Sequence, residues 1–166
     1  MNIRTAIKSD SDSTWEIFHA VVAPGDTYVF DPHISREDAL AYWFGPNTRT
    51  YVAENSGHIV GTYILKPNQP ALGSHVANAS FMVSPIARGL GVGLAMGRHC
   101  IAEARQHGFL AMQFNFVVST NETAIRLWKK LGFVIIGTLP GAFRHATLGF
   151  VDAHIMFRKL DDTTIL

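Results

Sequence analysis

Ser84-Pro85-Ile86-Ala87-Arg88-Gly89-Leu90-Gly91-Val92-Gly93-Leu94 stands between the apolar run Val76 to Val83 and a stretch carrying Leu94, Met96, Ile101 and Ala104 at near-helical spacing. The run reads as a strand and the stretch as an amphipathic helix, so the glycines fall where a strand turns into a helix N-terminus. There the first backbone N–H groups lack an intrahelical acceptor and the macrodipole is positive, which suits a phosphate-bearing ligand. Glycine lets the main chain approach such a ligand and take positive φ without steric cost. The alternative is a tight strand-to-helix turn that binds nothing.

Spacing narrows the ligand. A nucleotide P-loop ends in Gly-Lys-Ser or Gly-Lys-Thr, and no such end is present. A dinucleotide fingerprint needs a glycine where Leu94 stands and a carboxylate about 20 positions on, whereas Val117–Thr120 holds none. What remains is Arg88-x-x-Gly91-x-Gly93. A second block runs from Ser119 to Phe133. It opens on a Ser-x-x-Glu capping box at Ser119 and Glu122, places Ala124, Leu127, Trp128 and Leu131 on one face, and stops at Gly132.

The two blocks, Arg88-x-x-Gly91-x-Gly93 and Asn121-x-x-Ala124-x-x-Leu127-Trp128-x-x-x-Gly132-Phe133, resemble in type and order the acyl-CoA signatures of the GNAT N-acetyltransferase superfamily. The likeness spans roughly Tyr51 to Leu160. It implies an α+β fold whose mixed, mostly antiparallel central sheet splays near the cofactor and is flanked by helices. It also implies acetyl-CoA as cofactor. Backbone groups of Met82 and Val83 would pair with the pantetheine, Arg88, Gly89, Leu90, Gly91, Val92, Gly93 and Leu94 would hold the pyrophosphate, and Asn121, Ala124 and Trp128 would flank the thiol arm. Many such relatives are homodimers, so a homodimer is expected.

Composition sets the remaining bounds. The chain of 166 residues, 48% hydrophobic and 16% charged, suffices for one hydrophobic core, and residues 1–166 are expected to form a single domain. A formal net charge of +1 and no basic run longer than Lys129-Lys130 argue against a nucleic-acid or acidic-membrane partner. A small-molecule amine is the expected partner. The single cysteine, Cys100, falls in the predicted long helix and reads as a packing residue. The histidines show no His-x-x-x-His pair and no cysteine partners, so no metal is expected. With no apolar signal core at Met1-Asn2-Ile3-Arg4 and no run near the ~18 apolar residues of a span, cytoplasmic residence is expected.

Pattern predicts strands at Asn2 to Ile7, Thr48–Glu54, His58–Leu65, His75 to Val83, Ala111 to Val118, Phe133 to Thr138 and Phe150 to Arg158. Helices are predicted from Ser11 to Val22, with Trp15, Phe18 and Val22 inward, from a Ser35 cap through Phe44, with Leu40, Trp43 and Phe44 inward, and from Val92 to His107, besides the second block. Asn55-Ser56-Gly57 signals a hairpin. That hairpin and the neighbouring strands at both ends disfavour a doubly wound parallel sheet.

The chemistry is less legible. An amine attacking a thioester needs positioning, loss of a proton, a polarised carbonyl and a stabilised thiolate. The superfamily usually keeps a tyrosine acid where this chain has Trp128, whose indole donates but does not protonate. The strands expected to line the centre carry no carboxylate; they carry Asn78, Ser80 and Asn115. Asn is disfavoured in strands and must be hydrogen-bonded when buried, so Asn78 and Asn115 suggest a polar site, the alternative being structural amides. Proton loss through water and amide or backbone oxygens is then expected.

Phe114-Asn115-Phe116-Val117-Val118-Ser119-Thr120-Asn121, with Asn78-Ala79-Ser80-Phe81 and Gly25-Asp26-Thr27-Tyr28, further resembles the fungal N-acetyltransferases of azetidine-2-carboxylate and other proline analogues, and phosphinothricin-type acetyltransferases. This resemblance implies a small amino acid or toxic analogue as acceptor, a role in detoxification, Asn78 and Asn115 as candidate catalytic residues, and Tyr28, Phe30, Asn78 and Phe81 around the acceptor. Tyr28 and Phe30 otherwise read as a loop folded over the core. Arg144 reads as solvent-facing charge rather than a carboxylate anchor. A protein or peptide N-acetyltransferase and a non-catalytic acyl-CoA sensor remain the alternatives.

Overall fold

The computed structural model describes residues 1–160; residues 161–166 of the expected domain lie outside it. Strands β1 (Asn2–Thr5), β2 (Arg49–Asn55), β3 (His58–Pro67), β4 (Val76–Val83), β5 (Ala111–Val118), β6 (Val134–His145) and β7 (Gly149–Lys159) alternate with helices α1 (Ser11–Val22), α2 (Arg36–Trp43), α3 (Val92–Gln106) and α4 (Glu122–Lys130). All seven strands join one sheet in the order β1-β2-β3-β4-β5-β7-β6. Every neighbouring pair is antiparallel except β4–β5. The expected α+β architecture is therefore the observed one.

Alternating side chains send the apolar residues of β3 and β4 to two helix layers. On one face Ile17, Phe18 and Val22 of α1 with Ala39 and Trp43 of α2 bury Ile64 and Met82. On the other, Val92, Met96, Cys100 and Ala104 of α3 with Trp128 of α4 and the following Leu131 close over Tyr63, Ala77, Met112 and Phe114. Full burial of each large apolar side chain contributes about 1.5–3 kcal/mol. Cys100 is a packing residue, as expected, and burial pushes its thiol pKa up. Near the N-terminus Arg4 grips Asp10 with both Nη atoms (2.7 and 3.0 Å), while the Ile7 N–H donates to the same carboxylate at 2.8 Å. The Arg4 hydrogen bonds hold the Asp10 carboxyl below the usual carboxylate range, against the opposing effect of burial.

Several expectations need correcting. On α2, Trp43 is buried together with Ala39, whereas Leu40 is only half-buried; Phe44, just past α2, and Trp15 of α1 are half-buried but pack on the core cluster as expected. Strand β6 continues past Thr138 to His145, because a bulge between Leu139 and Phe143 absorbs Pro140 and Gly141 on a sheet edge, where a missing N–H costs little. Helix α4 starts at Glu122, capped by Asn121 rather than Ser119. The Ser119 N–H is still paired to the Asp152 carbonyl at 2.9 Å, so the β5–β7 ladder holds that residue in the sheet.

What positions the site is the single parallel junction. Strands β4 and β5 pair only at Val76 with Ala111 and Ala77 with Met112, and then part. The open edge of β4 beyond that point faces a cleft.

Candidate active site

The cleft begins where β4 and β5 separate. Ser84 N–H bonds to the Val60 carbonyl at 2.9 Å, and Met82 stands opposite Thr62 of β3. By two-residue alternation the peptide groups of Met82 and Ser84 point to β3, and those of Ala79, Phe81 and Val83 point into the gap. Of the two residues expected to offer backbone groups there, Val83 turns its peptide into the gap. Met82 turns its peptide to β3, and its side chain is buried in the cluster with α1 and α2 residues.

At Phe81 the edge is already engaged. The Tyr28 hydroxyl donates to the Phe81 carbonyl at 2.7 Å and accepts from the Phe81 N–H at 3.0 Å. Burial pushes the Tyr28 phenol pKa up, so it remains a neutral donor and acceptor. The loop of residues 23–35 thus brings an aromatic wall to the sheet: Phe30 lies 6.0 Å from Tyr28 and 5.0 Å from Tyr42 of α2, centroid to centroid. A cleft of about 240 Å³ lies between this wall and the divided strands, and Tyr28, Phe30, Tyr42, Asn78, Ser80, Phe81, Phe114, Asn115, Asn121, Ala124 and Trp128 are among its lining residues.

The structure thus brings Asn78 and Asn115 to the same cleft, but not as buried amides. Asn78 is half-buried and its Nδ2 donates across the gap to the Gln113 carbonyl at 2.9 Å. Asn115 is exposed, with its Oδ1 accepting from Gln113 Nε2 at 2.9 Å and its Nδ2 donating to Asn68 Oδ1 at 2.7 Å. Solvent at the divided strands, not burial, is what makes Asn tolerable there. Phe81 turns its ring to the other side, 4.8 Å from Trp128 and 5.3 Å from Tyr63. Trp128 is 7% exposed and also packs on Phe114 at 4.6 Å, as one panel of an apolar floor.

Asn121 Oδ1 accepts from the Ala124 N–H at 3.2 Å, so the cap engages its oxygen and leaves Nδ2 for a ligand. The glycine loop leaves a second set of donors. Gly91 caps α3 at φ 75°, and the first helical bond runs from Ala95 N–H to the Gly91 carbonyl at 3.0 Å. The N–H groups of Val92, Gly93 and Leu94 therefore have no helical acceptor. Gly89 (φ 82°) sets the turn before them, and Arg88, Gly89 and Leu90 are exposed around it. At Gly93 a Cβ would lie 3.2 Å from Leu127, so glycine also lets α3 and α4 approach.

Residues 12–133 match the acetyltransferase (GNAT) family. The chain belongs to this family. It is an N-acetyltransferase of the GNAT type, related by 31% identity over 158 residues to the N-acetyltransferase aca1 of Schizosaccharomyces pombe (83% of this chain, 76% of that one). Among solved structures, a GCN5-related N-acetyltransferase from Kribbella flavida superposes with a TM-score of 0.91 at 44% identity, covering 95% of this chain and 96% of that one. The acetyltransferase yncA from Salmonella typhimurium, solved with its cofactor acetyl-CoA, superposes at 0.85 with 25% identity over 100% of this chain and 97% of that one.

Tyr42, Asn68 and Gln113 were not anticipated at the site. Tyr42 sits on a helix whose spacing marks only its buried side, and Asn68 lies in Pro67-Asn68-Gln69-Pro70, which reads as a chain break. No local signal brings Asn68 or Gln113 to Asn115; the β3–β4–β5 order does.

Proposed function

We propose that the protein acetylates the amine of a small amino acid or amino-acid analogue, with acetyl-CoA as cosubstrate and direct attack of the amine on the acyl carbon. The observation that carries this reading is the continuity of the cleft, which runs from the divided β4–β5 edge and Asn121 to the wall of Tyr28, Phe30 and Tyr42 within one small volume. A small aromatic-walled cleft suits a small acceptor better than a polypeptide, which needs a longer groove. The sequence likeness around Phe114–Asn121 to fungal N-acetyltransferases of proline analogues supports acceptors such as azetidine-2-carboxylate.

Acetyl-CoA supplies the acetyl group as an activated thioester. The residues present fit it: the N–H groups of Val92, Gly93 and Leu94 suit a pyrophosphate, and the cleft-facing peptides of β4 suit the amides of its arm. Asn121 Nδ2 and the positive end of α4 would stabilise a departing thiolate. Trp128 keeps that end of the cleft dry. Asn78 Oδ1 and Ser80 Oγ orient the amine, and since no Asp, Glu or His is among the lining residues described, its proton passes to water held by them.

The test is release of free thiol from acetyl-CoA across a panel of amino acids that includes azetidine-2-carboxylate and short peptides. Turnover is expected on free small acceptors and not on peptides. Binding of CoA with no turnover on any amine would overturn the enzymatic reading of this cleft.

A further inference from the structure

The residues lining the cleft include donors, acceptors and aromatic rings but no Lys, Arg, His, Asp or Glu. A formal charge stands against one wall of it, where Lys66 meets Tyr42. Lys66 stands opposite Asn78 in the antiparallel β3–β4 ladder, so the two side chains are cross-strand neighbours on one face of the sheet. That face is the one roofed by the aromatic wall. Lys66 Nζ donates to the Tyr42 hydroxyl at 3.2 Å and lies 4.7 Å from the centroid of the same ring. Tyr42 is itself a lining residue, edge-on to Phe30 at 5.0 Å.

We propose that Lys66, steadied on Tyr42, anchors a carboxylate of the acceptor, so that the enzyme selects amines that carry an acid group. This rests on the acetyltransferase reading given above and names the residue that would define its substrate class. Three arguments support it. Among the described residues Lys66 has no carboxylate partner, and Tyr42 uses one of its three donors, so two remain for a ligand. Contact with the electron-rich ring face favours a fixed position for the ammonium over free sweep in solvent. Most decisively, an ammonium held against the Tyr42 wall of a pocket for amines repels any acceptor that is only a cation. A carboxylate on the acceptor turns that repulsion into attraction. The same positive charge lowers the pKa of the incoming amine and so favours its nucleophilic form, in a cleft lined by no side-chain base.

The experiment compares an amino-acid acceptor with its carboxamide and its decarboxylated amine, measuring kcat and KM for the wild-type enzyme, Lys66→Met and Lys66→Arg, with thermal unfolding to verify folding. A charge-assisted contact of this kind is worth roughly tenfold to a hundredfold. The wild type is expected to prefer the acid over the amide by at least about tenfold, mainly through KM. Lys66→Met brings the acid-to-amide ratio of kcat/KM close to one, and Lys66→Arg restores part of it. A wild type that turns over acid and amide equally well overturns the proposal while leaving the acetyltransferase reading intact. So does a folded Lys66→Met variant that keeps the preference. Absence of turnover on every amine overturns both.

Discussion

Replacing Gly91 by alanine separates the loop's role in folding from its role in binding. Gly91 holds φ 75° at the cap of α3, and a Cβ there would meet nothing within 4 Å. The cost is therefore backbone strain alone, about 1–2 kcal/mol for an L-residue in the left-handed region. In a chain of this size that lowers Tm by roughly 2–8 °C. Gly57 provides a matched control, since it lies at φ 81° in the β2–β3 hairpin, outside the cleft's lining, and a Cβ there would likewise meet nothing within 4 Å. Gly57→Ala should cost about the same stability. The two variants part in binding. If strain is relieved by turning the loop toward negative φ, the N–H groups of Val92 and Gly93 swing off the pyrophosphate, and loss of one charge-assisted bond raises the KM for acetyl-CoA about 10- to 100-fold. Chemical denaturation and steady-state thiol release measure both quantities. Equal KM values in the two variants would refute the assignment of this loop to the cofactor.

Three more outcomes follow from the geometry. At Gly97 a Cβ would collide with Leu131 Cδ1 and sit 3.3 Å from Trp128, so Gly97→Ala should destabilise despite its better helix propensity, by about 1–2 kcal/mol, with relief in the Gly97→Ala/Leu131→Ala double variant; an alanine more stable than wild type would contradict this. Because Arg4 depresses the Asp10 pKa in the folded state, the pair's stabilisation is complete above the unfolded carboxylate value and is lost as pH falls through the lower folded one; Asp10→Asn should flatten that acid limb in urea titrations at successive pH values. Tyr28→Phe leaves the Phe81 N–H and carbonyl to cleft water, lowering stability by about 1 kcal/mol and raising the acceptor KM, and an unaltered KM would remove Tyr28 from the acceptor wall.

Most of the scaffold was legible because local signals agreed with the tertiary structure. The glycine spacing fixed the turn before α3, and Ser56 and Gly57, both at positive φ, form the turn read from Asn55-Ser56-Gly57. Where sequence reading slipped, a long-range partner overruled the local signal. Ser119 looks like a cap until Asp152 claims its N–H, and Pro140-Gly141 looks like a terminus until β7 carries the strand through a bulge. The site shows the same limit more sharply. Met82 and Val83 are adjacent in sequence, yet only register against β3 tells which one faces the gap. Lys66 and Asn68 end a strand and begin a turn with nothing to mark them; strand order alone puts them beside Asn78 and Asn115.

The division between β4 and β5 also governs what is kept out. A bare sheet edge usually recruits any extended chain that meets it, which makes edges a route to aggregation. This one lies in the interior of a sheet, with β5 across the gap, Tyr28 fastened over Phe81 and Trp128 beneath. A strand of another protein would bring side chains on both faces into about 240 Å³. A slender ligand with two amides and no side chains has no such difficulty. The fold thus carries a permanently adhesive edge without the usual hazard, by admitting guests according to their width.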